Sequence, residues 1–266
     1  MINHNRLYVL SSAFWRNLMC STSSGSLPLY IVTEYPRSGG TWCGQLLSES
    51  LQLPFPRQIP PRYESCVMQG HYLYSARFKN VTCVVRDGRD CMISLYYQLL
   101  FNNDRNDPRS VAKWRKILGY SDLRDVGANL ANFIERMFEI EARSRSPYRF
   151  TWSRWVESWH GHSVLVRYED LLGNTSAELA RTLDSLGAHV TNADVTRAVQ
   201  KYEFQALTGR RPGQQDTGSV IRSGVAGAWR NTFSDDAKSI FAELAGDHLM
   251  LLGYESDKAW AVRGGA

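Results

Sequence analysis

The chain has 266 residues, 43% hydrophobic and 21% charged, which are the proportions of a globular protein with enough apolar surface for a substantial core. The net charge of +5 suits an anionic ligand, but the basic residues are spread along the chain without long runs, which argues against a nucleic-acid partner. The five cysteines, Cys20, Cys43, Cys66, Cys83 and Cys91, form no close pair, which argues against a disulfide framework or a zinc site and for a reducing, cytoplasmic setting, and no apolar run approaches the roughly 18 residues of a membrane span.

In chain order, residues 1–28 read as an N-terminal helix or loosely packed arm ahead of a domain over 29–255, with 256–266 as a tail. A short apolar run predicts a buried strand over 29–33. Pro36 to Gly40 breaks regular structure, and a helix is predicted over 41–51. A Pro-rich connection covers 54–61. A second buried strand is predicted over 81–85, followed by a helix over 88–101. Residues 102–125 are polar and basic with weak periodicity, so no element is assigned there. Helices are predicted over 126–143 and 152–160, a third strand over 163–168, and helices over 175–187, 192–201 and 235–251. Residues 208–224 read as a Gly-rich mobile loop. Strands alternating with helices imply an α/β fold: a three-layer, P-loop-like arrangement with a central parallel sheet flanked by helices.

Residues 35–42, Tyr-Pro-Arg-Ser-Gly-Gly-Thr-Trp, stand between the first strand and its helix. Gly39 and Gly40 permit a tight turn and close backbone approach. The helix that follows offers unpaired N–H groups and the positive end of its dipole to an anion. Ser38 and Thr41 add hydroxyl donors, and Arg37 adds a charged fork. This is not the ATPase phosphate loop, because the leading Gly and the Lys are missing. Further on, Arg86 ends the second strand, where α/β sheets bind ligands. Ser94 follows eight residues later, two turns into the next helix. Asp87 is placed to cap that helix, and Arg89 and Asp90 to form exposed helix-end pairs worth well under ~1 kcal/mol.

Taken together, these segments resemble the sulfotransferases that use 3′-phosphoadenosine-5′-phosphosulfate (PAPS). The family's 5′-phosphosulfate loop reads Y-P-[KR]-[SA]-G-[TGN]-T-W, and residues 35–42 match it throughout, with Arg37 where Lys is commoner. The resemblance implies that Arg86 and Ser94 grip the 3′-phosphate. It assigns the adenine to Tyr168, in a Y-E-D-L segment, to Phe204, and to Trp42 as a second aromatic face. It implies that Arg222, Ser223 and Gly224 close over the 3′-phosphate, within a segment similar to the family's R-K-G-x-x-G-D-W; Ser223 stands for the usual Lys, Ala228 for the usual Asp, and Glu203 for the Ser that precedes the family's Phe.

A histidine ends the strand before the Arg motif in this family and takes the acceptor's proton; by position that residue is His71. Imidazole titrates near neutrality, which suits a base. The activity implied is in-line transfer of the sulfuryl group of PAPS to a hydroxyl, or an amine, with release of 3′-phosphoadenosine-5′-phosphate (PAP) and no metal. The expected partner is a small-molecule, lipid or carbohydrate acceptor, and oligomeric state stays open. His160 and His162 read as turn residues. Tyr96, Tyr97, Phe101, Trp114, Tyr120, Trp152, Trp155 and Trp159 could line an acceptor pocket or fill the core. The alternatives are a P-loop nucleotide kinase, or a non-catalytic adenine-nucleotide binding protein.

Overall fold

The structure, a computed structural model, describes residues 4–22, 27–56, 62–101, 108–145, 149–211, 213, 214, 216 and 224–261. Its elements in chain order are α1 (His4–Thr22), β1 (Leu29–Glu34), α2 (Gly40–Leu51), β2 (Cys66–Gly70), β3 (Val81–Val85), α3 (Gly88–Leu100), α4 (Pro108–Leu118), α5 (Val126–Ala142) and α6 (Trp152–Trp159). They continue with β4 (Val164–Arg167), α7 (Tyr168–Gly173), α8 (Thr175–Ser185), α9 (Asn192–Lys201), α10 (Phe204–Thr208) and α11 (Asp235–Leu251). The chain divides into two compact units, one of residues 1–85 and 158–207 and the other of 86–157 and 208–266.

The sheet lies in the first unit. Its order is β2-β1-β3-β4, and all three pairings are parallel. β1 and β3 are central and almost wholly buried. Strands covered on both faces read as continuous apolar runs, which is why 29–33 and 81–85 are legible as strands. The chain leaves β1 to one side for β2 and to the other for β3, so the carboxyl ends of β1 and β3 flank the point where the strand order reverses.

The sequence predicts three strands, and the described residues form four. β2 is missed because its apolar run is only Cys66-Val67-Met68 before the polar Gln69, and because residues 71–80 return the chain to β3 without a helix. Tyr168 starts α7 rather than ending β4.

Apolar side chains of β1, α2, β3, α8 and α9 form one cluster that includes Val32, Leu46, Leu47, Val84, Leu179 and Leu183. Each such Leu is worth about 2–5 kcal/mol against Ala. The reciprocal Thr191–Asp194 capping box starts α9. Within the 1–28 segment α1 buries Met19 and Cys20, and the buried Arg16 donates to the Gln69 carbonyl.

In the second unit α5 and α11 bury Phe133, Ile134, Phe138, Phe241 and Leu249. Asp125 and Ser234 cap the two helices by accepting from the Ala128 and Ala237 N–H groups. α4 lies in the stretch given no element from sequence. It carries Val111, Trp114 and Leu118 at helical spacing, but the segment is short and rich in Arg and Lys, and the helix buries none of its residues. Tyr96, Trp152 and Trp155 of this unit, and Trp159 of the first, are 0–3% exposed. Residues 256–261, read as tail, include a 3-10 turn over Ala259–Ala261.

Candidate active site

The loop after β1 is shaped by backbone geometry. Arg37 has φ +75 and Gly39 has φ +97. The first is a left-handed conformation that costs a non-glycine residue about 1–3 kcal/mol and persists only where the surroundings hold it. Gly39 admits no side chain: a Cβ there would lie 2.6 Å from the Tyr168 ring. Ser38 is fully buried, and its N–H donates to the Tyr35 carbonyl at 3.2 Å. Gly39 is the N-cap of α2, and its carbonyl accepts from the Cys43 N–H at 3.2 Å.

Beneath this loop lies a polar network that sequence reading missed. Glu34, 4% exposed, ends β1. One of its carboxylate oxygens accepts from the Gly40 N–H and the other from the Gln69 side-chain amide. Gln69 Oε1 in turn accepts from the Thr41 hydroxyl at 3.2 Å. The Glu34 main-chain carbonyl lies 3.0 Å from His71 Nδ1. A carbonyl only accepts, so Nδ1 carries the hydrogen and the neutral ring keeps its lone pair on Nε2. His71 follows β2 directly, and the next residue is fixed: the Tyr72 carbonyl accepts from Thr33 Oγ1 at 3.0 Å and from Trp159 Nε1 at 2.7 Å. The signal for Glu34 was an acid just before Tyr35 in an otherwise apolar strand.

The aromatic residues expected at an adenine are partly gathered. The Trp42 and Tyr168 rings meet edge to face with centroids 6.0 Å apart. Trp42 Nε1 donates to the Tyr202 carbonyl at 2.8 Å, two residues before Phe204, which opens α10 and is half-buried.

In the second unit, Arg86 follows the last residue of β3 and is 9% exposed. It donates to the Val225 carbonyl at 3.1 Å and lies 3.6 Å from the Asp90 carboxylate. Asp90 also accepts from the Gly227 N–H at 2.6 Å and the Trp229 N–H at 3.0 Å. Ser94 is buried on α3. Asp87 does cap α3, accepting from the Arg89 N–H at 3.0 Å.

The expectation of exposed pairs at Arg89 and Asp90 is wrong, since they are 0% and 2% exposed. Arg89 is held by Asp87 and Glu255, and Asp90 by the backbone of 227–229, partners too distant in sequence to foresee. Arg222 and Ser223 lie outside the described residues; Gly224 is described, with φ +60. His162 stacks on Tyr74, centroids 4.2 Å apart. Among the described residues no three His, Cys, Asp or Glu side chains are grouped to hold a metal.

Residues 68–253 match the family described as Sulfotransferase domain. The chain is 19% identical over 277 residues to Sulfotransferase 1E1 of Rattus norvegicus, covering 88% of this chain and 87% of the relative. It is 19% identical over 256 residues to the Mus musculus protein of the same name, covering 80% of each. Mouse sulfotransferase SULT7A1 complexed with PAP aligns with a TM-score of 0.61 and 16% identity over 87% of this chain and 91% of that one. Retinol dehydratase in complex with androsterone and inactive cofactor PAP aligns with a TM-score of 0.55 and 18% identity, over 92% and 85%.

Proposed function

We infer, for a chain that belongs to the sulfotransferase domain family, how its own residues carry out transfer from PAPS. The protein is a PAPS-dependent sulfotransferase with the P-loop-like α/β fold of its family. When bound, PAPS supplies an activated sulfuryl group, and PAP is what remains after transfer.

The observation that carries the residue-level reading is the 3.0 Å contact of His71 Nδ1 with the Glu34 carbonyl, at the carboxyl end of the strand that feeds the loop. It fixes the imidazole with its Nε2 lone pair available for a proton. In this reading His71 Nε2 takes the proton of an acceptor hydroxyl as the acceptor oxygen bonds to sulfur in line. The bond from sulfur to the bridging oxygen breaks, and that oxygen keeps the electron pair. Arg37, Ser38, Gly39, Gly40 and Thr41 hold the 5′ end, where charge accumulates. The 3′-phosphate is assigned to Arg86, Ser94 and the segment Arg222, Ser223 and Gly224, and the adenine to Trp42, Tyr168 and Phe204.

The acceptor is a small molecule bearing a hydroxyl. The named ligands of a solved relative, androsterone and PAP, support that class. We place the enzyme in the cytoplasm. All five cysteines are free thiols, and among the described residues no helix is long and apolar enough to cross a membrane.

Calorimetric titration with PAP, set against ADP with and without Mg²⁺, tests the reading. Metal-independent PAP binding with a large preference over ADP is expected. Magnesium-dependent ADP binding without preference for PAP would replace this reading with a nucleotide kinase.

A further inference from the structure

The carboxylate of Glu34 takes up a donor of the kind that a phosphate-binding loop ordinarily offers its ligand. A carboxylate only accepts hydrogen bonds. One Glu34 oxygen accepts the Gly40 N–H, at the first residue of α2, so this side chain is itself an anion held at the N-terminus of that helix. The fit is close, since a Cβ on Gly40 would lie 2.6 Å from the Glu34 carboxyl carbon. The other oxygen accepts from Gln69 Nε2, which turns the amide oxygen toward Thr41. That oxygen also only accepts, so the Thr41 hydroxyl hydrogen is committed to Gln69 at 3.2 Å. The negative charge of Glu34 therefore sets the direction of every hydrogen in the chain and draws two of the loop's donors inward.

We propose that Glu34 is an affinity-setting residue, a built-in anion that competes with the nucleotide's 5′-phosphate for the Gly40 N–H and, through Gln69, for the Thr41 hydroxyl. The inference rests on the reading above that the loop of residues 35–42 takes the 5′ end of the nucleotide. Its consequence is a deliberately weak grip on that phosphate, which favours release of PAP after transfer.

The substitutions have distinct hydrogen-bond solutions. In Glu34→Gln the new amide oxygen keeps the Gly40 N–H while its NH₂ donates to a flipped Gln69. The Gln69 NH₂ then donates to Thr41, whose hydroxyl hydrogen is released. The like charge beside the phosphate is removed at the same time. In the double variant Glu34→Gln with Gln69→Glu, the carboxylate returns one position along and Thr41 donates to it again.

The full-length chain is titrated calorimetrically with PAP and with adenosine 3′-monophosphate, which lacks the 5′-phosphate. Glu34→Gln should tighten PAP roughly tenfold, the scale of a hydrogen bond to a charged group. It should leave adenosine 3′-monophosphate unchanged, and the double variant should return the PAP preference toward the parent's. A preference that is unchanged or lower in Glu34→Gln overturns the proposal. If Glu34→Gln does not fold, Gln69→Met keeps it testable: releasing Thr41 should raise the preference by a smaller factor, and no rise counts against it. A parent protein that binds the two nucleotides equally would instead refute the assignment of the loop to the 5′ end.

Discussion

The guanidinium carbon of Arg89 lies 3.5 Å from the centre of the Trp229 ring and 4.4 Å from that of Trp260. The cation is fully buried. Asp87 takes its Nε and Nη2 hydrogens at 2.9 and 2.8 Å, and Glu255 takes Nη1 at 2.6 Å. A planar fork stacked on aromatic rings and met by two carboxylates is a role lysine does not fill. Arg89→Ala takes the guanidinium away from the buried Asp87 carboxylate and from Glu255, and with it the stacking on both tryptophans, so a loss of about 3–5 kcal/mol is expected. Urea unfolding measures it. A loss below about 1 kcal/mol would restore the view of Arg89 as a helix-end surface pair.

Thiol chemistry should be silent in the folded protein. All five cysteines are buried. Burial pushes Cys20 and Cys43 up to about 12 and Cys66 up to about 11, and Cys83 is raised by the same cause. The thiolate is the reactive form, so an aromatic disulfide reagent at pH 8 should label none of the five until denaturant is added. The sign of the linked effect is also fixed. The unfolded chain loses thiol protons near about 8.5 while the folded chain keeps them, so it binds fewer protons and stability falls as pH rises from about 8.5 toward 11. Each such thiol contributes up to about 1.4 kcal/mol per pH unit. Unfolding in urea at pH 7.5 and pH 10 tests this, and Cys43→Ala should show the shallower decline. Equal stability of the parent at both values would contradict it.

What the sequence made legible follows from how local each signal is. β3 is apolar but for Thr82, and α11 has a capping serine and acidic first turn, so their spans are readable residue by residue, while β1 runs one residue past the predicted strand, to Glu34. β2 and α4 are not: one has three apolar residues and a helix-free exit, the other buries nothing. The loop residues could be named because their chemistry is written in consecutive positions. The network under them could not, because Gln69 reaches Glu34 across 35 residues of sequence through strand pairing alone. Arg89 and Asp90 were misjudged for the same reason, as Glu255 and the 227–229 backbone are far along the chain.

His71 offers a separation of binding from turnover. Its ring is tied by Nδ1 to a main-chain carbonyl, so removing it leaves no buried charge behind. His71→Ala should bind PAP as the parent does while losing roughly 10²–10⁴-fold in transfer to whichever phenol or alcohol serves in a screen with PAPS. Retained turnover would place the base elsewhere, and a matching loss of PAP affinity would make His71 structural.

Arg86 has two candidate roles, and they are separable. It holds the Val225 carbonyl and pairs with Asp90, which could make it only a brace for the segment after residue 224. Its proposed role is to hold the 3′-phosphate, where a charge-assisted fork is worth roughly twice a neutral hydrogen bond. PAP and adenosine 5′-monophosphate differ only in that phosphate. Arg86→Ala should therefore weaken PAP by about 10–100-fold, the loss of a hydrogen bond to a charged group, and leave adenosine 5′-monophosphate unchanged. If both nucleotides weaken by the same factor, Arg86 acts through the fold, because a brace lost from the 224–229 backbone has no means of telling the two ligands apart.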